Sequence, residues 1–322
     1  MKGTKYLFFA ATALSLAACS SDDENMSVND GPVAAQITAG VSGPATRANN
    51  NVWEADAIGV RVTETKYGVT DVTKDLYQNV EYTTASTGTE ADFTSTDGIL
   101  FQDANEKVTF AAYGPYQSSY DNETLPGING VITGNTSSQN TRELQKAFDY
   151  IYASGATASR SDPQVLFSGE HEFQHKMTKL ILIVKTSANN GFSATDVTNG
   201  IYTLSGLTHT GQFDVTTGEA HATGTASPDA WSLSDNSLMT EGETQQRTFT
   251  SILYPQTLAS PLVFTATIDN RDYTSEGQIR PELNAGNSYT YTITVKKTGL
   301  EISTCTIQDW TNGGEHNYIE AY

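Results

Sequence analysis

Cysteine is nearly absent from this chain: its 322 residues hold two, Cys19 and Cys305. If the segment before Cys19 is removed and Cys19 is modified, one free thiol remains, no internal disulfide can form, and the fold must rest on buried apolar surface. Cys305, between Thr304 and Thr306 in a strand-like run, reads as a small core residue and not as a nucleophile.

Basic residues are scarce too. Eighteen Lys and Arg face 37 Asp and Glu, for a formal net charge of −19, and no basic stripe occurs. Nucleic acid is therefore excluded as a partner, since phosphate binding needs clustered cations. Charged residues make up only 17% of the chain. Thr, Ser, Asn, Gly and Tyr take their place, a mixture that favours strands and turns over helices.

Catalytic motifs are missing as well. There is no G-x-S-x-G elbow, no G-x-G-x-x-G and no Gly-Lys pair for a phosphate loop. The one exception is His171-Glu172-Phe173-Gln174-His175, which spells the H-E-x-x-H of a zinc hydrolase. Two histidines so spaced share an ion only on a helix; on a strand they stand ~13 Å apart. The following run, Leu180-Ile181-Leu182-Ile183-Val184-Lys185-Thr186, is rich in β-branched residues and reads as a buried strand, with Gly169 ahead and Asn189-Asn190-Gly191 beyond. His209, His221 and His316 are scattered, and no third ligand stands nearby. No catalytic residue, metal or cofactor is expected.

Long hydrophobic runs are limited to the first residues. Lys2 and Lys5 precede an apolar stretch from Leu7 to Ala18, too short to cross a bilayer comfortably, and Leu16-Ala17-Ala18-Cys19 looks like a bacterial lipoprotein processing box. Residues 1–18 are thus expected to be a signal peptide, with Cys19 the lipidated first residue of a linker over 19–31 that carries Ser20-Ser21-Asp22-Asp23-Glu24. Cleavage removes two lysines and no acid, which leaves a net charge of −21.

What the chain has in quantity is alternation. Ile37, Ala39 and Val41 share one side of a short strand; Ile58, Val60 and Val62 share one side of a second. Val108 to Tyr116 is an apolar strand stopped at Gly114-Pro115, and Thr248 to Gln256 repeats its outline, which suggests two similar domains over 32–163 and 164–322. Arg142 to Gly155 holds at least one helical turn. In the second half Tyr289, Tyr291, Ile293 and Val295 oppose Thr290, Thr292, Thr294 and Lys296, and Leu262–Ile268 and Leu300–Ile307 are further strands. Short strands between Gly, Asn and Asp clusters predict antiparallel sandwiches, so the fold class is all-β.

Several short motifs then fall in a recognisable order: the lipobox; Ala45-Thr46-Arg47-Ala48 after the early strand; Trp53-Glu54 leading to Ile58-Gly59-Val60; Phe110-Ala111-Ala112-Tyr113 with Pro115-Tyr116; Phe173-x-His175-x-Met177-x-Lys179-Leu180; Leu283-x-Ala285-Gly286 before Tyr289; and Asp309-Trp310. In this the chain resembles the fimbrillin family of Bacteroidales over nearly its whole mature length. The resemblance implies two tandem transthyretin-like β-sandwiches and a subunit of type V pili, and it makes His175 a strand residue, so that HEFQH is a coincidence. It implies a precursor that reaches the outer surface of the outer membrane through its lipid anchor. There a trypsin-like, Arg-directed protease would cut at Arg47-Ala48 and remove the strand of Ile37, Ala39 and Val41. Another fimbrillin subunit, a copy or a relative, would then fill the groove by β-augmentation and help adhesion to a host receptor.

The last twelve residues, TNGGEHNYIEAY, could span ~40 Å when extended, enough for a donor strand, although Tyr318, Ile319, Ala321 and Tyr322 do not alternate. Shaft, anchor and tip roles stay open. A different class of function is a monomeric surface lipoprotein that binds glycan or protein, for which 16 tyrosines and three tryptophans would serve. A zinc hydrolase at HEFQH is the third reading.

Overall fold

Side-chain alternation sets most of the strands. Between Asn287 and Lys296, Tyr289, Tyr291, Ile293 and Val295 are all buried while the threonines between them stay partly open, as a strand with one face on a core requires. Ile58, Val60 and Val62 do the same in the strand Ala57–Lys66. The computed structural model describes residues 32–41, 53–54, 56–66, 72–103, 105–186, 191–241, 246–275, 277–310 and 319–320.

The described residues are mostly β-strand, with a few short helices. A five-stranded antiparallel sheet runs in the order Gln174–His175, Ile151–Ser159, Lys107–Gly114, Ala57–Lys66, Val80–Thr83. Facing it is a three-stranded sheet whose middle member is Gln36–Gly40. Gln164–Phe167 pairs with that strand in parallel on one side, and Glu90–Phe93 antiparallel on the other. Ile37, Ala39, Phe93, Val165 and Phe167 from the smaller sheet meet Ile58, Val60, Phe110 and Ala153 from the larger one in a single core.

The second core lies between a seven-stranded and a four-stranded sheet. The larger is ordered Leu238–Glu241, Gln246–Leu253, Thr178–Lys185, Asn287–Lys296, Thr306–Asp309, Ile319–Glu320, and Gly299–Ile302 also pairs with Asn287–Lys296. The smaller is ordered Trp231–Ser232, Ile201–Ser205, Val263–Ile268, Arg271–Thr274. Where one strand is expected over Leu300–Ile307 there are two, because the Ser303 hydroxyl accepts the Thr292 N–H while the Ser303 N–H donates to the Thr292 carbonyl, and the chain turns away before Thr306. Cys305 is buried in this core, and burial pushes its thiol pKa up.

A third apolar cluster joins the two. A three-stranded sheet pairs Val131–Asn135 from the first half with Thr210–Asp214 from the second, and Glu219–Ala222 follows. Phe213 stacks on Tyr150 with ring centroids 4.6 Å apart, and Tyr113, Met177, Ile252, Tyr254 and Trp310 belong to the same cluster. Gly59 is needed here: a Cβ would come within 2.3 Å of the Tyr113 ring.

Residues just beyond the boundary expected at 163/164 contribute to the first core: Val165, Phe167 and Phe173 are fully buried there, and Gln164–Phe167 is a direct neighbour of Gln36–Gly40. The sequence hides this pairing because the partners, Gln36 and Gln164 among them, lie 128 residues apart.

Candidate functional site

The site is the seat of the strand Gln36–Gly40. Its alternation is Gln36 out, Ile37 in, Thr38 half out, Ala39 in, and Val41 continues the inward row. All three predicted residues are buried: Ile37 at 2% exposure, Ala39 at 0% and Val41 at 5%. Because the strand is central and not at an edge, it uses both rows of backbone groups. Beyond the two ladders, Ala35 N–H donates to the Ile99 carbonyl at 2.8 Å, Gln36 N–H to Pro163 at 2.8 Å, Val41 N–H to Thr89 at 3.2 Å, and Phe173 N–H to the Gly40 carbonyl at 3.1 Å. Each such bond has a net worth of about 1 kcal/mol, and a buried group left unpaired costs about 1–3 kcal/mol.

Four aromatic side chains close the inner side. Trp53 is fully buried, and its Nε1–H donates to the Ala39 carbonyl at 2.8 Å. The indole meets Phe93 and Phe173 edge-on at 4.8 and 5.4 Å, and Phe167 contacts Phe173 at 5.6 Å. A buried indole N–H needs an acceptor, and here the strand itself supplies one. On the outer face Thr38 Oγ1–H donates to Asp92 and Gln164 Nε2–H to Gln36, each at 2.6 Å. Tyr82 closes the core further along; its hydroxyl accepts the Ile99 N–H at 2.9 Å, and burial pushes its pKa up to about 12.

Trp53 leads into an acidic corner. The Glu54 carboxylate pairs with Arg142, and Asp56 pairs with Lys146 Nζ at 2.6 Å. Both cations stand on the helix Arg142–Phe148, whose N-cap Thr141 hydroxyl accepts the Leu144 N–H. From that corner the same segment reaches into the second half. Gln139, fully buried, donates to the Ile252 carbonyl at 2.8 Å and accepts the Ile252 N–H at 2.6 Å, and Gln145 donates to the Thr250 carbonyl at 2.6 Å.

The HEFQH residues do not share a helical face. Gly169–His171 is a single 3-10 turn, Glu172 is extended, and Gln174–His175 is strand. His171 Nδ1 lies 2.9 Å from the Ser154 carbonyl oxygen, whereas His175 is buried with Nδ1 2.7 Å from Asp149 Oδ1. The His175 ring also stacks on Trp310, centroids 4.1 Å apart and planes within 9°. Among the described residues no group of three or more His, Cys, Asp or Glu side chains is placed to hold a metal ion.

Cys19, Arg47 and Ala48 lie outside the described residues. Sequence reasoning found Ile37, Ala39 and Val41 by their alternation but did not find the work of Trp53, Gln139 or Asp149. Trp53 carried a usable signal, a tryptophan just ahead of the alternating Ile58, Val60 and Val62; Gln139 sits in a polar run that reads as loop, and Asp149 at the end of a stretch that reads as helix.

A fimbrillin-like family model matches residues 46–310. The chain belongs to the fimbrillin-like family. A Bacteroides uniformis protein named as a fimbrium subunit, Fim1C, is 32% identical to this fimbrillin-like chain over 319 residues, covering 94% of each. A Bacteroides ovatus crystal structure described as a cell adhesion protein superposes with a TM-score of 0.71 at 27% identity, over 87% of this chain and 98% of that one. A second, from Bacteroides uniformis and described in the same way, gives 0.64 at 26% identity, over 88% and 100%. The fimbrillin-like chain is a fimbrial structural subunit and not an enzyme.

Proposed function

We propose that this fimbrial subunit is exported as a lipoprotein acylated at Cys19, and that it joins a type V filament by strand exchange once a trypsin-like surface protease cuts between Arg47 and Ala48. The observation that carries this reading is the position of Gln36–Gly40: it is the middle strand of its sheet and lies near the start of the described chain. Its departure would uncover the seats of Ile37, Ala39 and Val41 and two rows of backbone groups at once. A strand donated by another fimbrial subunit would restore both the apolar burial, about 1.5–3 kcal/mol for a large side chain, and the ladders. A head-to-tail contact of this kind repeats without closing, which is what a filament needs. In the same reading residues 33–175 form the first sandwich and the division falls near Lys176.

Trypsin treatment of the purified precursor tests it. A new N-terminus at Ala48 together with fibres in negative-stain microscopy is the expected result. Fibres from an Arg47→Ala precursor would refute the role of that cut.

A second reading has one observation in its favour. A polar cleft of about 420 Å³ opens beside the strand Val80–Thr83, lined by Glu81, Thr94, Asp97, Tyr116 and Asn122 among others. Carboxylates, an amide and an aromatic ring suit a sugar, so a glycan-binding role for a monomer would place its ligand there. Binding of a glycan by unprocessed monomer that Tyr116→Ala abolishes would favour this alternative.

A further inference from the structure

The strand Gln36–Gly40 and the last tryptophan are joined by a short chain of contacts that runs through the residues of the HEFQH stretch. Phe173 bridges Val41 in parallel, its N–H donates to the Gly40 carbonyl at 3.1 Å, and its ring meets Trp53. Two residues later His175 stacks on Trp310. Between them the backbone is extended, and Gln174–His175 is held to Tyr152 and Ile151 of the larger sheet. A shift of Phe173 along the strand axis therefore carries His175 with it.

A second branch ends at the same ring. Trp53, bonded to Ala39, is followed by Glu54 and Asp56, which hold Arg142 and Lys146 on one helix. Asp149 is that helix's C-cap residue, and its Oδ1 lies 2.7 Å from His175 Nδ1. That contact and the stack on Trp310 together fix the plane of the imidazole against the indole. The pair is almost completely buried, at 0% and 2% side-chain exposure. Lys179 Nζ stands over the Trp310 ring, 5.7 Å from its centroid, and the backbone N–H of Trp310 donates to the Gly286 carbonyl.

We infer that Phe173 and His175 form a relay by which the seating of Gln36–Gly40 holds Trp310, and with it the root of the C-terminal segment, in place. Occupied and vacated states of the groove then differ at Trp310 as well as at the groove. Coupling of this kind is reciprocal: the free energy by which the seated strand steadies Trp310 is the free energy by which a held Trp310 steadies the strand. The use of the relay in a filament rests on the strand-exchange reading above, but its existence does not, because it is a property of the unprocessed chain.

Hydrogen exchange on the full-length, uncut protein tests it. Ile37→Val trims the seated strand at the far end from the relay, and Trp310→Phe alters the stack. The expected result is a threefold or greater rise in exchange at residues 307–310 in Ile37→Val, a rise at residues 37–41 in Trp310→Phe, and little change at Leu182–Val184 in the second core. In a His175→Asn background, where an amide still reaches Asp149 but no ring stacks, the Ile37→Val effect on Trp310 should vanish. Changes confined to each substituted neighbourhood overturn the relay, and so does a uniform rise that includes Leu182–Val184. Failure here would leave fibre formation by the cut protein unaffected, and failure of fibre formation would leave the exchange result standing.

Discussion

The indole of Trp53 donates its N–H to the carbonyl of Ala39 across 2.8 Å, inside a core where both residues are fully buried. The residue that lines the groove is thus also a polar partner of the strand that fills it. Trp53→Phe keeps contact with Phe93 and Phe173 but leaves the Ala39 carbonyl without that donor. We expect a loss of about 1–2 kcal/mol, read as a lower urea midpoint, and faster release of the strand Gln36–Gly40 after trypsin treatment.

Gln139 continues a ladder that secondary structure leaves unfinished. The strand Leu238–Glu241 pairs with Gln246–Leu253 only as far as Leu238 opposite Thr250. At Ile252 the Gln139 side-chain amide takes over both backbone groups. Gln139→Ala should cost about 2–4 kcal/mol, the penalty for two buried unpaired groups. Gln139→Glu should do no better, since a carboxylate accepts the N–H but repels the Ile252 oxygen. Equilibrium unfolding in urea measures both.

His209 gives the fold an acid-sensitive joint. Burial lowers its pKa from 6.5 to about 4; its Nδ1 lies 3.2 Å from Thr136 Oγ1, and its ring packs near Trp231. With the folded pKa depressed, the unfolded chain binds a proton between about pH 6.5 and 4 that the folded chain does not. Stability from this group is complete above pH 6.5 and is lost as pH falls toward 4, by no more than about 3 kcal/mol and by less where water reaches the ring. His209→Phe should flatten the difference between the urea midpoints at pH 7 and pH 4.5 relative to the unsubstituted protein.

Gly59 answers to the third cluster and not to a turn. With a Cβ 2.3 Å from the Tyr113 ring, Gly59→Ala forces the ring to move against Asn79, whose Oδ1 accepts the Tyr113 hydroxyl at 2.8 Å. A loss of about 1–3 kcal/mol is expected from overpacking. Adding Tyr113→Phe should recover little, because the clash is with the ring edge. Thermal unfolding of the two variants tests this.

Much of the fold could be read from residue patterns. Period-two alternation in Ile37-Ala39-Val41, Ile58-Val60-Val62 and Tyr289-Tyr291-Ile293-Val295 identifies half-buried strands because a pleated chain must put every second side chain on its core. Turn formers at Gly114-Pro115 closed a strand where expected. The break at Ser303–Cys305 was not visible, since a serine that hydrogen-bonds across to Thr292 looks the same in sequence as one that faces water. HEFQH could be argued away from a helix by its β-branched sequel. That His171 turns toward Ser154 while His175 is buried against Asp149 and Trp310 depended on partners 17, 26 and 135 residues distant.

By itself, then, the amino-acid order determined that the chain is built of strands, which faces of those strands are apolar, and that the strand of Ile37, Ala39 and Val41 stands early and apart. Only the tertiary structure decided that this strand is the centre of its sheet, that Gln164–Phe167 lies beside it in parallel, and that Trp53, Phe173 and Trp310 bind its seat to the far end of the chain. The reason is physical. Alternation is a local property of one strand, whereas neighbours in a sheet and partners of a buried indole or imidazole are chosen by which distant groups the whole fold brings within about 3 Å.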